Sequence, residues 1–510
     1  MRQHDKIKTI EELNDILASL RARKNSRKIV HCHGVFDLLH IGHIRHFEEA
    51  KKLGDILVIT ITPDQYVNKG PNHPAFTEEL RAEGIAALGC VDYVAINKWP
   101  TAVETIKCLK PDIYVKGPDY KDRQTDLTGK IIDEEAAIKA VGGRIAFTDD
   151  ILFSSSSLIN KYLPSLTKET QEYLSGFSGR YTTDEILGYL RNAQKLKVLV
   201  IGETIIDEYQ YCTAIGTSAK EPILAVRYLS HEKFAGGILA VANHVANFCS
   251  NVGMLTMLGD RESQEDFVRQ NVSGNVEKLF LYKANSPTIV KRRFVENYLL
   301  QKLFEIYEMN DDELNPEQDR ALCAMLQEIV PRYDVVIVVD YGHGMMTKNA
   351  IELLCKKARF LAVNTQANAG NRGFSTISRY PRADFITLSR LELALEERDR
   401  QGDLQRMMLN VSEKLSCGQV IVTCGKDGNI CYSKDEGFVT VPAFADRIID
   451  RVGSGDAVLS LTSLCVAQRA PLEVVGFIGN AVGAQAVATI GNRKAIEPVQ
   501  LFKFITSLLK

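Results

Sequence analysis

The chain has 510 residues, 45% of them apolar and 25% charged, with 62 Lys and Arg against 64 Asp and Glu. That length exceeds one ordinary hydrophobic core and predicts two or three domains of globular type. A formal net charge of −2 argues against a nucleic-acid partner, and no apolar run is long enough to predict a membrane-spanning helix. The 11 cysteines, among them Cys32, Cys90, Cys108, Cys212 and Cys249, are scattered without metal-ligand spacing, and Met1–Lys8 is polar. These features predict reduced thiols in a cytoplasmic protein.

Thr9-Ile10-Glu11-Glu12 has the form of a capping box, and Ile10, Leu13, Ile16 and Leu20 recur at helical spacing. They predict a helix over residues 9–24. Arg27–His33 follows as a buried strand and Ile44–Leu53 as a helix. Between them lies His33-Gly34-Val35-Phe36-Asp37-Leu38-Leu39-His40-Ile41-Gly42-His43. A strand running through a glycine-containing loop into a helix start aims free amides and the positive helix end at one spot, which suits phosphate. His40 and His43 can both face that spot and donate to charge developing on phosphorus. Gly42 between them lets the backbone approach closely. A lone H-x-G-H is as readily a pair of structural imidazoles.

Downstream the pattern alternates: strand Asp55–Thr62, helix Thr77–Leu88, strand Tyr93–Ile96, helix Ala102–Leu109, strand Ile113–Lys116, helix Ile131–Ala140 and strand Arg144–Thr148. This is the pattern of a doubly wound parallel sheet, with ligands at the carboxyl ends of its strands. The histidine loop and Val115-Lys116-Gly117-Pro118-Asp119-Tyr120 both fall at such ends. Phe153–Ile159 adds a run of hydroxyls, Ser154 to Ser157, that suits a triphosphate.

The string G-x-F-D-x-x-H-x-G-H resembles the signature of the HIGH-type nucleotidyltransferases, and Lys116-Gly117-Pro118-Asp119-Tyr120 resembles that family's K-G-x-D-[YW]. The resemblance covers residues 1 to about 160. It implies attack of a substrate phosphate on the α-phosphate of a nucleoside triphosphate, with pyrophosphate leaving. Its implied catalytic residues are His40 and His43. Its implied nucleotide-site residues are Gly34, Phe36, Asp37, Gly42, Lys69, Arg81, Lys116, Gly117, Asp119, Ser155, Ser156 and Ser157. Glycerol-phosphate cytidylyltransferases carry an arginine and a glycine ahead of the hydroxyl run. Their absence here resembles the heptose-1-phosphate adenylyltransferase branch and favours ATP over CTP.

Residues 164–195 are polar, with Ser/Gly breaks at Ser175–Gly179, and read as a helical linker between domains at 1–163 and 196–510. A helix is expected from Thr183 to Gln194. A second α/β pattern opens at Lys197–Asp207, a buried strand ending in Gly202 and followed by an acid. Tyr209, Tyr211, Ile223–Tyr228, Thr288–Arg293 and Leu303–Tyr307 predict strands of a small β-lid. Asp450-Arg451-Val452-Gly453-Ser454-Gly455-Asp456-Ala457 precedes an apolar helix, Val458–Ala467. Small residues at that helix start make an amide cradle for a γ-phosphoryl group. Asp456 there can take the proton of an attacking hydroxyl.

The pattern D-x-x-G-x-G-D resembles the ribokinase-like (PfkB) sugar kinases, and other strings agree in order over residues 196–498. Asp207, Gly236 and Gly237 then correspond to sugar contacts, and Gly453, Ser454 and Gly455 to the anion hole. Thr423, Gly425, Gly428 and Asn480 correspond to the ATP side, and Glu392 to an indirect magnesium helper. Three positions depart from the family: Ala240 replaces a sugar-side asparagine, Ser389 opens the N-x-x-E segment, and Asn364-Thr365-Gln366 replaces D-P-K.

A chain with both halves resembles the bifunctional heptose-7-phosphate kinase/heptose-1-phosphate adenylyltransferase family, in swapped order. The resemblance implies two α/β domains, ATP and Mg2+, sugar-phosphate substrates and a homodimer. The product would be ADP-heptose for surface polysaccharide. The alternatives are a CTP-dependent transferase acting on a polyol or amino-alcohol phosphate, and a second half that only binds and dimerises.

Overall fold

A computed structural model describes residues 3–22, 27–67, 74–117, 130–148, 166–218, 220–298 and 300–509. The chain divides into two compact units, residues 1–167 with 502–510, and residues 168–501.

The first unit holds a parallel sheet of β1 (Ile29–Gly34), β2 (Ile56–Ile61), β3 (Tyr93–Ile96), β4 (Ile113–Lys116) and β5 (Arg144–Phe147). Its strand order is β3-β2-β1-β4-β5. The run Ile-Leu-Val-Ile-Thr-Ile of β2 is buried along its whole length, as a strand covered on both faces requires. Val30, Ile59 and Val94 pack with Phe47 and Ile85 on one face, and Ile29 and Val58 with Leu13 and Leu17 on the other. The strand order reverses at β1 and β4, so a crevice opens at their carboxyl ends. The helix after β1 starts at Ile41 rather than at Ile44. The reason is a cap: His40 Nδ1 accepts from the Gly42 amide at 3.1 Å and closes the first turn.

In the second unit, β6 (Lys197–Thr217) is 21 residues long. Its first part, Lys197–Glu203, lies in the core beside β8 (Asn251–Arg261) and β12 (Val335–Asp340). Its second part leaves the core to pair with β7 (Leu224–Gly237) and β10 (Ile289–Glu296). With β11 (Lys302–Glu308) on β10, these segments form the lid, in the order β11-β10-β6-β7. The core sheet continues from β12 through β13 (Leu361–Thr365), β14 (Phe385–Ser389), β15 (Gln419–Thr423), β16 (Asn429–Ser433) and β17 (Gly437–Val441). β9 (Val276–Pro287) lies outside β8. The helices Lys168–Ser178 and Thr183–Asn192, expected in a linker, belong to this unit. Phe177 stacks on Phe477 at 4.4 Å, and Arg180 pairs with Glu473. Among the described residues no helix is long and apolar enough to cross a membrane.

Candidate functional sites

In the first unit the imidazoles of His40 and His43 stack with ring centroids 3.9 Å apart at the start of the helix that follows β1. The structure therefore brings the expected pair together, at a helix N-terminus and at the carboxyl end of the sheet. Phe36 is buried with φ of +48° and meets Phe47 and His43 edge-on at 4.9 and 5.4 Å. A Cβ on Gly34 would press on the Phe36 ring at 2.9 Å. Gly34 and Phe36 thus shape the loop from inside.

Two of the expected nucleotide-site residues, Asp37 and Arg81, are anchored by bonds within the unit. The Asp37 carboxylate is buried and accepts from the amides of Ala75, at 2.7 Å, and Phe76. Arg81 is buried too, and its guanidinium donates to the carbonyls of Val35, Thr62 and Phe76 and to Asp64. Its donors close the histidine loop onto the segment after β2 instead of reaching for phosphate. Lys116, at the end of β4, pairs with Glu134 at 2.8 Å, and Gly117 follows with open space where a Cβ would stand. Lys69, Asp119, Ser155, Ser156 and Ser157 lie outside the described residues.

Three further histidines surround this site. His31 and His33 share the Thr60 hydroxyl at 2.7 and 2.8 Å, and His46 meets the Thr148 hydroxyl at 2.9 Å. Burial and the charge of Lys116 pull His31 down to about 3 and His46 to about 4, and His33 well below its ordinary value.

In the second unit a cleft of about 370 Å³ opens between the lid and the carboxyl ends of β13, β14 and β15. Gly453, Ser454, Gly455 and Asp456 line one end, at the start of helix Ser454–Ala467. Gly453 has φ of +78°, and a Cβ there would collide with Asn492, so the turn demands glycine. Burial, reinforced by the charges of Asp207 and Glu392, pushes Asp456 up to about 7; Tyr341 and Gln366 pull against it. Asp340 and Glu203 form a second buried acidic pair behind the cleft. Burial raises both, Glu203 to about 7.

Asp207 of β6 lines the same cleft together with Lys291, Arg293, Glu305 and Tyr307 from β10 and β11. Arg293 pairs with Asp207 and lies 3.6 Å from Glu305. Lys291 is buried, sits 4.9 Å from the centre of the Tyr307 ring, and makes no ion pair among the described residues. Burial lowers its pKa. Sequence reasoning missed both cations, although β-alternation puts positions 291 and 293 on one face. Gly236 and Gly237 bring β7 against Asp207, and a Cβ at Gly236 would strike its carboxylate. Ala240 is buried in the helix Ile238–Ala246.

Thr423 also lines the cleft, and Gly425 and Gly428 take φ of +62° and +85° in the turn after β15. Asn480 is half-buried on helix Leu472–Val487. Its amide donates to the carbonyls of Val441 and Pro442, both at 2.8 Å, and pins the exit of β17. Glu392 is likewise spent as a helix cap: its two oxygens accept from the amides of Ala367 and Ser389. The described residues contain no cluster of three acidic, His or Cys side chains fit to hold a metal. Asn364 donates to the Thr387 carbonyl, while its Oδ1 and the Thr387 hydroxyl have no partner among the described residues.

The family model of pfkB family carbohydrate kinases matches residues 195–498, and the cytidylyltransferase-like model matches residues 31–161. The chain is 38% identical to the bifunctional protein HldE of Syntrophotalea carbinolica over 146 residues, 28% of each chain. It is 26% identical to that of Campylobacter jejuni over 302 residues, 59% of this chain and 62% of the relative. It thus spans less than two thirds of the curated relatives it matches. Among solved structures, phosphofructokinase-2 of Escherichia coli bound to potassium superposes with a TM-score of 0.50 at 17% identity. That match covers 62% of this chain and all of the other, and it shows the fold of the second unit.

Proposed function

The chain belongs to the pfkB family of carbohydrate kinases, with a cytidylyltransferase-like region ahead of it, and we propose that it makes a nucleotide-activated sugar in two steps. The second unit phosphorylates a sugar phosphate from ATP. The first joins a nucleoside monophosphate, by preference AMP, to a sugar 1-phosphate and releases pyrophosphate. Heptose 7-phosphate and heptose 1-phosphate are the substrates this reading assigns, and ADP-heptose the product.

One observation carries it. The sugar end of the kinase cleft buries a lysine without an ion pair beside an arginine, so the sugar it suits carries an anionic group. In that cleft the helix start at Gly453–Gly455 receives the γ-phosphoryl group and Asp456 receives the hydroxyl proton. Magnesium, bound to the triphosphate, neutralises its charge. In the first unit His40 and His43 donate to the α-phosphate as it is attacked, and Lys116 holds positive charge beside them.

The lid also exposes Ile215, Ile223, Leu224, Tyr228 and Leu229. This apolar face suits a second copy of the chain, giving a homodimer in the cytoplasm.

The test is a product panel. ATP, CTP, GTP and UTP are each offered with heptose 1-phosphate, glycerol 3-phosphate and ribitol 5-phosphate for pyrophosphate release, and ATP with heptose 7-phosphate for ADP release. Pyrophosphate from ATP with heptose 1-phosphate alone supports the reading. Release from CTP with a polyol phosphate overturns the substrate assignment.

A further inference from the structure

We propose that Gln366 is a positioning residue of the phosphoryl-transfer site: its side-chain amide holds one oxygen of Asp456 and leaves the other for the sugar hydroxyl. The proposal rests on the kinase reading above. Gln366 Nε2 lies 2.5 Å from Asp456 Oδ1, and both residues line the cleft.

The glutamine is fixed from several sides. Its own amide donates to the Asp340 carbonyl at 3.0 Å, and its carbonyl accepts from Asn371 Nδ2 at 2.6 Å. The next amide, of Ala367, donates to Glu392 at 3.1 Å. Asn371 also donates to the Tyr341 carbonyl, and Asn368 Oδ1 accepts from the amides of Gly370 and Asn371. A Cβ on Gly342, where φ is +71°, would press on Asn371 at 2.7 Å, so that glycine makes room for the brace. These bonds fix the Gln366 backbone, so the side chain starts from a set point, and its amide meets Asp456 before substrate arrives. Left with the Tyr341 hydroxyl alone and buried among other acids, the Asp456 carboxylate would be less firmly aimed and less ready to ionise.

In the step itself the sugar hydroxyl gives its proton to Asp456 as its oxygen bonds to the γ-phosphorus of ATP. The bond from that phosphorus to the bridging oxygen breaks, and ADP leaves with the electron pair. The segment Asn364-Thr365-Gln366, a departure from D-P-K by sequence, therefore has a task of its own in this chain.

The experiment uses the full chain, ATP and heptose 7-phosphate, with ADP release as readout. Gln366→Met keeps the shape and removes the donor, and Gln366→Lys returns a donor of similar reach. The expected result is a kcat lowered roughly ten- to hundredfold in Gln366→Met, with both KM values unchanged and most of the rate recovered in Gln366→Lys. An unchanged kcat, a loss confined to KM, or equal losses in both variants overturns the proposal.

If the wild-type chain releases no ADP from heptose 7-phosphate, the substrate reading fails. The positioning role is then read from an infrared titration of the Asp456 carboxyl against Asp456→Asn. Gln366→Met should raise its midpoint by about one pH unit, and an unmoved midpoint overturns the role. The other groups facing Asp456 are Asp207, Glu392 and Tyr341, with Lys291, Arg293 and Arg451 in the same cleft, and none changes in these variants.

Discussion

The two units bury opposite kinds of titratable side chain. Around its site the first holds His31, His33 and His46 with pKa values pulled down, so these imidazoles stay neutral. The second holds Glu203, Asp340 and Asp456 with pKa values pushed up. Burial is the first cause in every case, and it disfavours the charged form of either type. The difference suits the chemistry proposed for each half. In the first unit Lys116 and the helix start bring positive charge beside neutral imidazoles, which suits a triphosphate. In the second, a base held near 7 accepts a hydroxyl proton close to working pH.

The strongest way to break this division is to disable each site alone. His40→Ala or His43→Ala should lower pyrophosphate release by about 10²–10³-fold and leave ADP release intact. Asp456→Asn should lower ADP release by about 10²–10⁴-fold and leave pyrophosphate release intact. Initial rates of both products in one set of variants check this. A single variant that abolished both would count against two independent sites.

A smaller effect sharpens the sugar end. Lys291→Met should raise KM for the sugar phosphate roughly ten- to hundredfold, with KM for ATP unchanged, because one charge-assisted contact is lost. If KM for the sugar phosphate does not move, the buried ammonium serves the lid and not the substrate.

The legible parts of the two sites were those built from consecutive residues. His40 to His43 and Asp450 to Asp456 each lie within one loop and one helix start, so spacing alone places them. The internal bonds of Asp37, Arg81 and Asn480 were not legible, because spacing does not show where a side chain spends its donors and acceptors. Arg81 finds Val35 and Thr62 only after the sheet has folded. Lys291 and Arg293 were illegible because they come beside Asp207 only when β10 pairs with β6, more than eighty residues away in sequence, where Arg293 bonds its carboxylate. Gln366 looked like a loss because its partner, Asp456, is separated from it by 90 residues.

Arg81 gives a stability counterpart to these activity tests. Arg81→Met strands the carbonyls of Val35, Thr62 and Phe76 and should destabilise the first unit by about 1–3 kcal/mol for each acceptor left buried. Trp99, the single tryptophan, lies against the core of that unit, so its fluorescence during denaturation reports the loss. An unaltered midpoint would return Arg81 to the role of a phosphate ligand.

The mildest test is of the opposition itself, by melting the chain across pH. A histidine whose folded pKa is depressed stabilises above its unfolded value near 6.5. That contribution is lost as pH falls toward 3–4, because only the unfolded chain takes up the proton readily. An acid raised to about 7 behaves in reverse. Its contribution is present below the unfolded value near 4 and lost as pH rises to 7. The Trp99 transition should therefore weaken on acidification, and the second calorimetric transition should weaken on going from pH 4 to pH 7. Asp456→Asn removes one such acid. It should raise the second transition by about 2–4 °C for each kcal/mol recovered at pH 8, and leave it unmoved at pH 4. Kinase activity lost with stability gained would show that Asp456 is kept in an unfavourable place because the reaction needs it there. Activity lost with stability unchanged would mean that its carboxyl ionises without strain, and that the cleft is wetter than its buried lining implies.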